Sequence, residues 1–505
     1  MSAGPCATAA AAADEVGAPW SVPLALAGRV IATGPVPYVA IVVASVIAFL
    51  PGLGAGFVAD DFANLGWAAS TSLGGVLGHL VPTSGPPYRP LADVLFWLQH
   101  RAFGAQPVPY HLVSLAAHVG IAGLLYRLAG RLGVGPVPAL AGVGAFVVSI
   151  HAHELVFWGS AGQYALGGLA IVAAVLAYVA GRTWLSLALV VAALLTDEAA
   201  ISLLPVLAVA EALFGRPAPV ARRLLRLAPA AAAVAGYLAM RVATGGLRGT
   251  ADACRSVGCD LTGGVQYFDR LFARPGRVIE LLRPDTYATP NDVLMAAALV
   301  VLFAGLAVLL GVWRWRDRRV IGFGLAWCVI TAAVFIYAQW PYAPDRFLYY
   351  PELGLALALA GVVQQVLRGW DAGTRARLTA GPVLAGYLAW VALGVPTLWH
   401  RAGQWNDASD TVAAIFDRTV RLDPDPPRGA VLVFQGVPDA PALDIPPGGT
   451  GPYLLGDGLT EGVRMRYGRS DITPVASTDD RPAGATSVVC FEIVDAGVVR
   501  SECPR

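Results

Sequence analysis

Apolar residues come in long blocks along this chain, and polar residues are confined mostly to the breaks between them. A helix that crosses a bilayer needs about 20 such residues. Blocks of this kind cover 36–53, 107–127, 137–150, 160–180, 183–196, 198–214, 226–243, 292–313, 320–338, 350–367 and 379–398. They predict about eleven spans, with the pairs 137–150/160–180 and 183–196/198–214 short for the task. Between blocks lie two long loops, 54–106 and 244–291. In these loops "NLGWAASTSLGGVLGHL" and "VQYFDRLFARPGRVIELL" mix aromatics, aliphatics and polar residues at helical spacing, as helices lying on a membrane surface do.

Beyond Trp405 the pattern changes. Residues 399–420 read as an amphipathic helix leaving the membrane. After "DPDPP", short apolar runs such as "GAVLVFQGV" and "GVRMRYG" alternate with Pro and Gly clusters. That alternation predicts a small α/β or β-rich domain. The Ala-rich start, with Asp14 and Glu15 where a leader would want positive charge, reads as a disordered tail. The expected fold is therefore an all-α polytopic membrane protein with a small C-terminal domain. Its parts are a tail over 1–35, a membrane domain over 36–398 and the appended domain over 399–505.

Composition agrees: 56% of the 505 residues are hydrophobic and 14% are charged, against roughly a quarter charged in a soluble domain. Net charge is +1, every basic residue is Arg, and no basic stripe occurs outside short loops, so nothing points to nucleic acid. The Arg residues themselves set an orientation. Alternate short connections carry Arg127 and Arg131; Arg182; Arg216, Arg222, Arg223 and Arg226; Arg314, Arg316, Arg318 and Arg319; then Arg368, Arg375 and Arg377. The positive-inside rule places these and the N-terminus in the cytoplasm. The plasma membrane is the expected location, with both long loops and the C-terminal domain extracytoplasmic. Cys254 and Cys259, and Cys490 and Cys503, then lie where disulfides survive; Cys6 and Cys328 read as single thiols.

In this arrangement the polar residues that are not simple loop charges gather on the outer side. Asp60 and Asp61 follow the first span, and Arg89 and Asp93 come later in the same loop. "SIHAHELVFWGSAGQY" supplies His151, His153 and Glu154; "LLTDEAAISLLP" supplies Asp197 and Glu198; "QWPYAPDRFLYYPELG" supplies Asp345, Arg346 and Tyr349. Carboxylates suit general-base work on a hydroxyl. A guanidinium grips phosphate with two parallel hydrogen bonds.

The order of these stretches resembles the GT-C class of membrane glycosyltransferases. The likeness is to protein O-mannosyltransferases, the aminoarabinose transferase of lipid A and their bacterial relatives. "YRPLADVLF", "PYHLVSLAAH", "IHAHELVFWGSAGQ", "LLTDEAAISLLP" and "DRFLYYPELG" match, in order, family stretches running "RPL", "YHL", "HP-H-E-V-W-GR", "LLSKE" and "ERYLYLPS" over roughly 55–360. The resemblance implies a polyprenyl-phosphate-linked sugar donor in the lipid bilayer, a glycan, lipid or protein acceptor, and inversion at the anomeric carbon. Asp60 is then the first choice of base, with Asp61 orienting the acceptor or holding a metal ion, and the two able to exchange roles. Arg346 would hold the donor phosphate, with Arg89 as second candidate, while His151, His153, Glu154, Asp197, Glu198, Asp345 and Tyr349 would shape the site. It leaves open a divalent cation, Mg²⁺ or Mn²⁺. Two departures stand out: Asp197 occupies the place of the family's Lys in "SKE", and Gln163 that of a residue often charged.

Plainer readings exist for each. Asp60 and Asp61 suit the start of an interfacial helix, and Asp197 and Glu198 the start of span six. Two His at i and i+2 do not share a helical face, which weakens a zinc reading of "HAHE". His111 and His118, seven apart, read as buried packing residues. Other functions fit a multispan protein: an O-antigen-type polymerase or ligase, a lipid-linked sugar flippase or transporter, or a non-catalytic scaffold. The span centres hold little charge, which disfavours transport.

Overall fold

The computed structural model describes residues 34–82, 88–245, 318–337, 345–371, 374–437 and 452–503, apart from 483–484, 486 and 495–496. The tail before residue 34, the second long loop, the block 292–313 and the Cys254–Cys259 pair lie outside the described residues.

Every apolar block within the described residues is helical. They are α1 (Val36–Phe49), α5 (Pro107–Arg131), α6 (Pro136–Val147), α8 (Gly162–Val179), α9 (Thr183–Leu194), α10 (Leu203–Phe214), α11 (Val220–Ala243), α12 (Arg318–Tyr337), α13 (Asp345–Asp371) and α14 (Thr374–Leu422). Loop 54–106 carries three more: α2 (Asp60–Ser70), α3 (Leu73–Gly78) and α4 (Pro90–Phe103). A short α7 (His153–Phe157) follows α6. Proline opens α4, α5 and α6, where its missing N–H costs nothing.

Among the described residues four helices are long and apolar enough to cross a membrane: Pro107–Arg131, Gly159–Val179, Val220–Ala243 and Asp345–Arg368. A fifth results if Pro136–Val147 and Ile150–Phe157, bent by 51°, count as one span. That is fewer than the eleven expected. Helices α6, α9 and α10 have 12 residues each, about 18 Å of helix against a hydrocarbon core of about 30 Å, and the block 292–313 lies outside the described residues. The block 379–398 and the amphipathic stretch 399–420 form one helix, α14, of 49 residues, roughly 74 Å at 1.5 Å per residue.

Helix α13 sits at the centre, buried over 83% of its apolar window. It approaches α12 at Gly324 and Gly354 and α6 at Gly142, where a Cβ would collide with the neighbouring backbone. Small residues at such crossings let helices meet backbone to backbone, the principal source of attraction where lipid is the solvent.

The C-terminal domain is a four-stranded sheet with order β2-β1-β3-β4. Strands β1 (Val431–Gln435), β2 (Thr473–Val475) and β3 (Val488–Val494) run parallel; β4 (Gly497–Ser501) is antiparallel to β3, pairing Cys490 with Ser501. Of the two apolar runs read in the sequence, "VLVFQ" is β1, whereas "GVRMRY" lies in a helix, α15 (Leu459–Tyr467). The domain is thus α/β. Cys490 and Cys503 form a disulfide, and Cys328 is a buried free thiol.

Replacing Gly354 by Ala should lower stability by about 1–3 kcal/mol, the usual range for forcing an atom into a packed contact. Thermal unfolding in detergent checks this, and a melting curve identical to that of the parent would show that the α12–α13 contact has slack.

Candidate active site

The first loop delivers its acids on a helix that starts under strain. Ala59 has φ 45° and ψ −126°, the one non-glycine residue with positive φ among those described. Such a conformation costs on the order of 1–3 kcal/mol and persists only where its surroundings impose it. Here the Ala59 N–H donates to the Leu454 carbonyl at 2.8 Å, and Gly458 lies so close that any side chain there would strike the Ala59 carbonyl. Both neighbours belong to the C-terminal domain. Helix α2 then begins with Asp60 and Asp61 in its first turn, where the helix dipole favours carboxylates.

The two acids have different surroundings. Consecutive helical side chains point roughly 100° apart, so one faces inward and one does not. Asp61 is fully buried, and its carboxylate accepts from Ser160 N at 2.7 Å, Ser160 Oγ at 2.6 Å and Val58 N at 3.1 Å. Burial pushes its pKa from the ordinary 3.8 up to about 7; the Ser160 and Val58 donors oppose this, and the Asp60 charge adds to it. Asp60 is half-buried on the next stripe of the helix.

The "HAHE" stretch does not form one helix. Ile150–Ala152 is a 3₁₀ turn and α7 begins at His153, so both imidazoles reach the same carboxylate despite their i, i+2 spacing. His153 Nε2 lies 2.8 Å from Asp345 Oδ2, and His151 Nε2 lies 3.7 Å from Asp345 Oδ1. His151 Nδ1 meets Glu352 Oε1 at 2.6 Å, and Glu352 also accepts from the Ser149 hydroxyl. The Trp405 indole N–H donates to His153 Nδ1 at 2.9 Å, so the His153 proton sits on Nε2, facing Asp345.

Arg346 follows Asp345 on the first turn of α13. Its Nη1 donates to Glu154 Oε2 at 2.8 Å and to the Tyr453 hydroxyl at 2.9 Å. The guanidinium carbon lies 5.2 Å from the Trp158 ring centre and 5.1 Å from that of Phe347. Its Nε and Nη2 donate to no protein acceptor among the described residues, leaving one two-pronged edge of the fork open. Arg89 differs: its Nε and Nη2 are both spent on Glu198, at 2.8 and 2.6 Å. Its guanidinium lies 5.5 Å from the Tyr164 ring centre.

The remaining expected residues have local jobs. Asp197 caps the 3₁₀ turn Glu198–Ser202, accepting from Ala199 N at 2.8 Å, and takes the Tyr350 hydroxyl at 2.9 Å. Tyr349 turns inward, its hydroxyl 2.9 Å from His118 Nδ1 and its ring against Phe146. His111 and His118 are buried and hydrogen-bonded, as packing residues.

Two clusters therefore meet at the turn Trp158–Ser160. Ser160 holds Asp61, and Trp158, two residues earlier, lies against Arg346 and Tyr453, the latter at 5.0 Å between ring centres. Sequence reasoning missed Ser160, Trp158, Tyr164, Glu352, Trp405 and Tyr453. Glu352 was detectable, being seven residues and two helical turns beyond Asp345. Tyr453 carried no local signal. Among the described residues no group of three or more His, Cys, Asp or Glu is placed to hold a metal ion. The "HAHE" imidazoles do not fit one, because both His153 nitrogens are committed and His151 Nδ1 is taken by Glu352.

The sequence matches no known protein family and no curated protein.

The Asp61 environment sets a pH dependence. With its pKa raised in the folded state, the unfolded chain ionises first as pH rises from about 4, and stability falls until about pH 7, where the folded carboxylate ionises too. The loss approaches about 1.4 kcal/mol per pH unit inside that window. Melting temperatures at pH 4–8 should decline less steeply for Asp61→Asn than for the parent; parallel curves would place the ionised carboxylate in the fold throughout.

Proposed function

We propose that the chain is a membrane glycosyltransferase of GT-C type that moves a sugar from a polyprenyl-phosphate donor to a hydroxyl acceptor. One observation carries the reading. The open Nε/Nη2 edge of Arg346 and the acids of α2 are braced by the same short turn, Trp158–Ser160. An anion held at that guanidinium and a hydroxyl near α2 would be neighbours.

Asp60 is the base in this reading, because the Asp61 carboxylate is already filled by three donors. Asp60 takes the acceptor hydroxyl's proton as the oxygen bonds to the anomeric carbon. The bond from that carbon to the phosphate oxygen breaks, and its electron pair leaves with the polyprenyl phosphate. A single displacement of this kind inverts the anomeric carbon. Arg346 meets the charge growing on the leaving phosphate through two parallel hydrogen bonds. Glu154 and Tyr453 orient it. Arg89, clamped by Glu198, positions Tyr164. The wider picture is about eleven spans with this site and the C-terminal domain on the extracytoplasmic side. A divalent cation has no assigned ligands here.

A second reading rests on a different observation. Asp345, Glu352, His151 and His153 form a buried titratable group within the helices, as a proton-coupled carrier of lipid-linked sugars would use.

The two separate in reconstituted vesicles. Supplied with radiolabelled polyprenyl-phosphate sugars, a transferase releases polyprenyl phosphate and forms a covalent product; a carrier moves label without either. Asp60→Asn should reduce turnover by 10²-fold or more, as for loss of a general base (roughly 10²–10⁴), leaving donor binding intact. Arg346→Ala should weaken polyprenyl-phosphate binding at least tenfold. Full turnover in Asp60→Asn ends the assignment of the base.

A further inference from the structure

Helix α2 presents two stripes. Asp61, Leu65 and Ala68 face inward and are buried. Asp60, Asn64 and Trp67, at i, i+4 and i+7, share the adjacent stripe and are half-buried. Asn64 and Trp67 of that stripe form one wall of an open cleft. Asp93 and Gln99 on α4 line the facing wall, and Ser160 and Gln163 the floor.

The chemistry of this cleft is specific. Gln99 is 7% exposed, yet its amide makes no hydrogen bond among the described residues, and neither does that of the half-buried Gln163. Both side chains line the open cleft, so their amides are available to hydrogen-bond something that enters. Asp93 is fixed by His79 Nδ1 at 2.8 Å, which leaves its other oxygen as an acceptor. Asn64 donates to Ser160 Oγ at 2.9 Å and keeps its carbonyl oxygen. Trp67 is held by a tilted contact with the His79 ring, centres 5.2 Å apart. No Arg lines the cleft, while Asp93 does and Asp60 lies on its α2 stripe, so a phosphate or other anion is repelled. Side-chain amides and a carboxylate around an indole suit a neutral ligand dense in hydroxyls: amides and carboxylates bridge vicinal hydroxyls, and the C–H face of a pyranose lies on the ring.

From these observations we infer that the cleft between α2, α4 and the Gly159–Gln163 turn binds the saccharide portion of the acceptor, so that the acceptor is a glycan. This deepens the transferase reading and rests on it for the word acceptor. Asn64 and Trp67 follow Asp60 by one and two turns on the same stripe, about 6 and 10 Å along the helix axis. A sugar seated on them places a hydroxyl of itself or of the adjoining unit at Asp60. The proposed donor phosphate contact, Arg346, lies beyond the turn at Trp158.

The test uses the full chain in nanodiscs, a broad array of neutral saccharides, and polyprenyl phosphate as a separate probe. The array should yield at least one saccharide family bound in the micromolar to millimolar range. Gln163→Ala and the near-isosteric Gln99→Met should each weaken that binding about tenfold or more without changing polyprenyl-phosphate affinity. The same saccharides carried on a polyprenyl-pyrophosphate anchor should show equal losses, which separates recognition of the sugar from recognition of a lipid headgroup. Anchored ligands whose binding ignores both substitutions would overturn the inference, as would an array with no binder. Saccharide binding that follows the variants in a protein with no affinity for polyprenyl phosphate would support the cleft while refuting the donor.

Discussion

The arrangement hangs on the buried Asp61 carboxylate. Three donors converge on it: one from the residue just before the strained Ala59 and two from Ser160, 99 positions away. A carboxylate taken out of water is costly unless hydrogen bonds replace those it gave up. The fold has therefore committed its first loop to the Trp158–Ser160 turn. Because Asp61 points inward, its neighbour Asp60 falls on the other stripe of the helix, the one that carries Asn64 and Trp67. Adjacent residues of the acidic pair thus have different surroundings, one fully buried and one half-buried.

The C-terminal domain is part of the same construction. Leu454 holds the Ala59 backbone in its unfavourable conformation, and Tyr453, one residue earlier, braces Arg346 and lies on Trp158. Phe62 of α2 lies edge-on to Phe416 of α14 at 5.2 Å, and a side chain at Gly462 of α15 would strike that ring. The domain is thus a wall of the site. Strain at Ala59 is stored at the residue that aims both acids, which fits a proposed base held ready instead of one placed by its ligand.

A parallel logic runs through the helices below. Asp345 binds two imidazoles while its neighbour Arg346 faces the turn, so α13 also divides adjacent residues between support and exposure. The Trp405 donation to His153 ties the long α14 into the same group. Buried polar groups of this density are stable only when nearly all their donors and acceptors are used. That constraint fixes how α7, α13 and α14 meet.

Much of this was legible in the residues. Apolar block length gave the helices, Pro and Gly clusters gave the separate C-terminal domain, and the positions of Asp60, Asp61, His151, His153, Glu154, Asp345 and Arg346 along the chain marked where polar groups would collect. These are local properties, set by backbone hydrogen bonding and by what lipid or core excludes. The sequence could not say which of two adjacent aspartates is buried, that a 3₁₀ turn brings both imidazoles to Asp345, that Glu198 occupies Arg89 while Arg346 keeps an open edge, or that Tyr453 belongs to the site. Each depends on partners tens to hundreds of positions away, brought close only by packing. A side chain's chemistry is written in its own residue, but its exposure and its hydrogen-bond partners belong to the assembled fold.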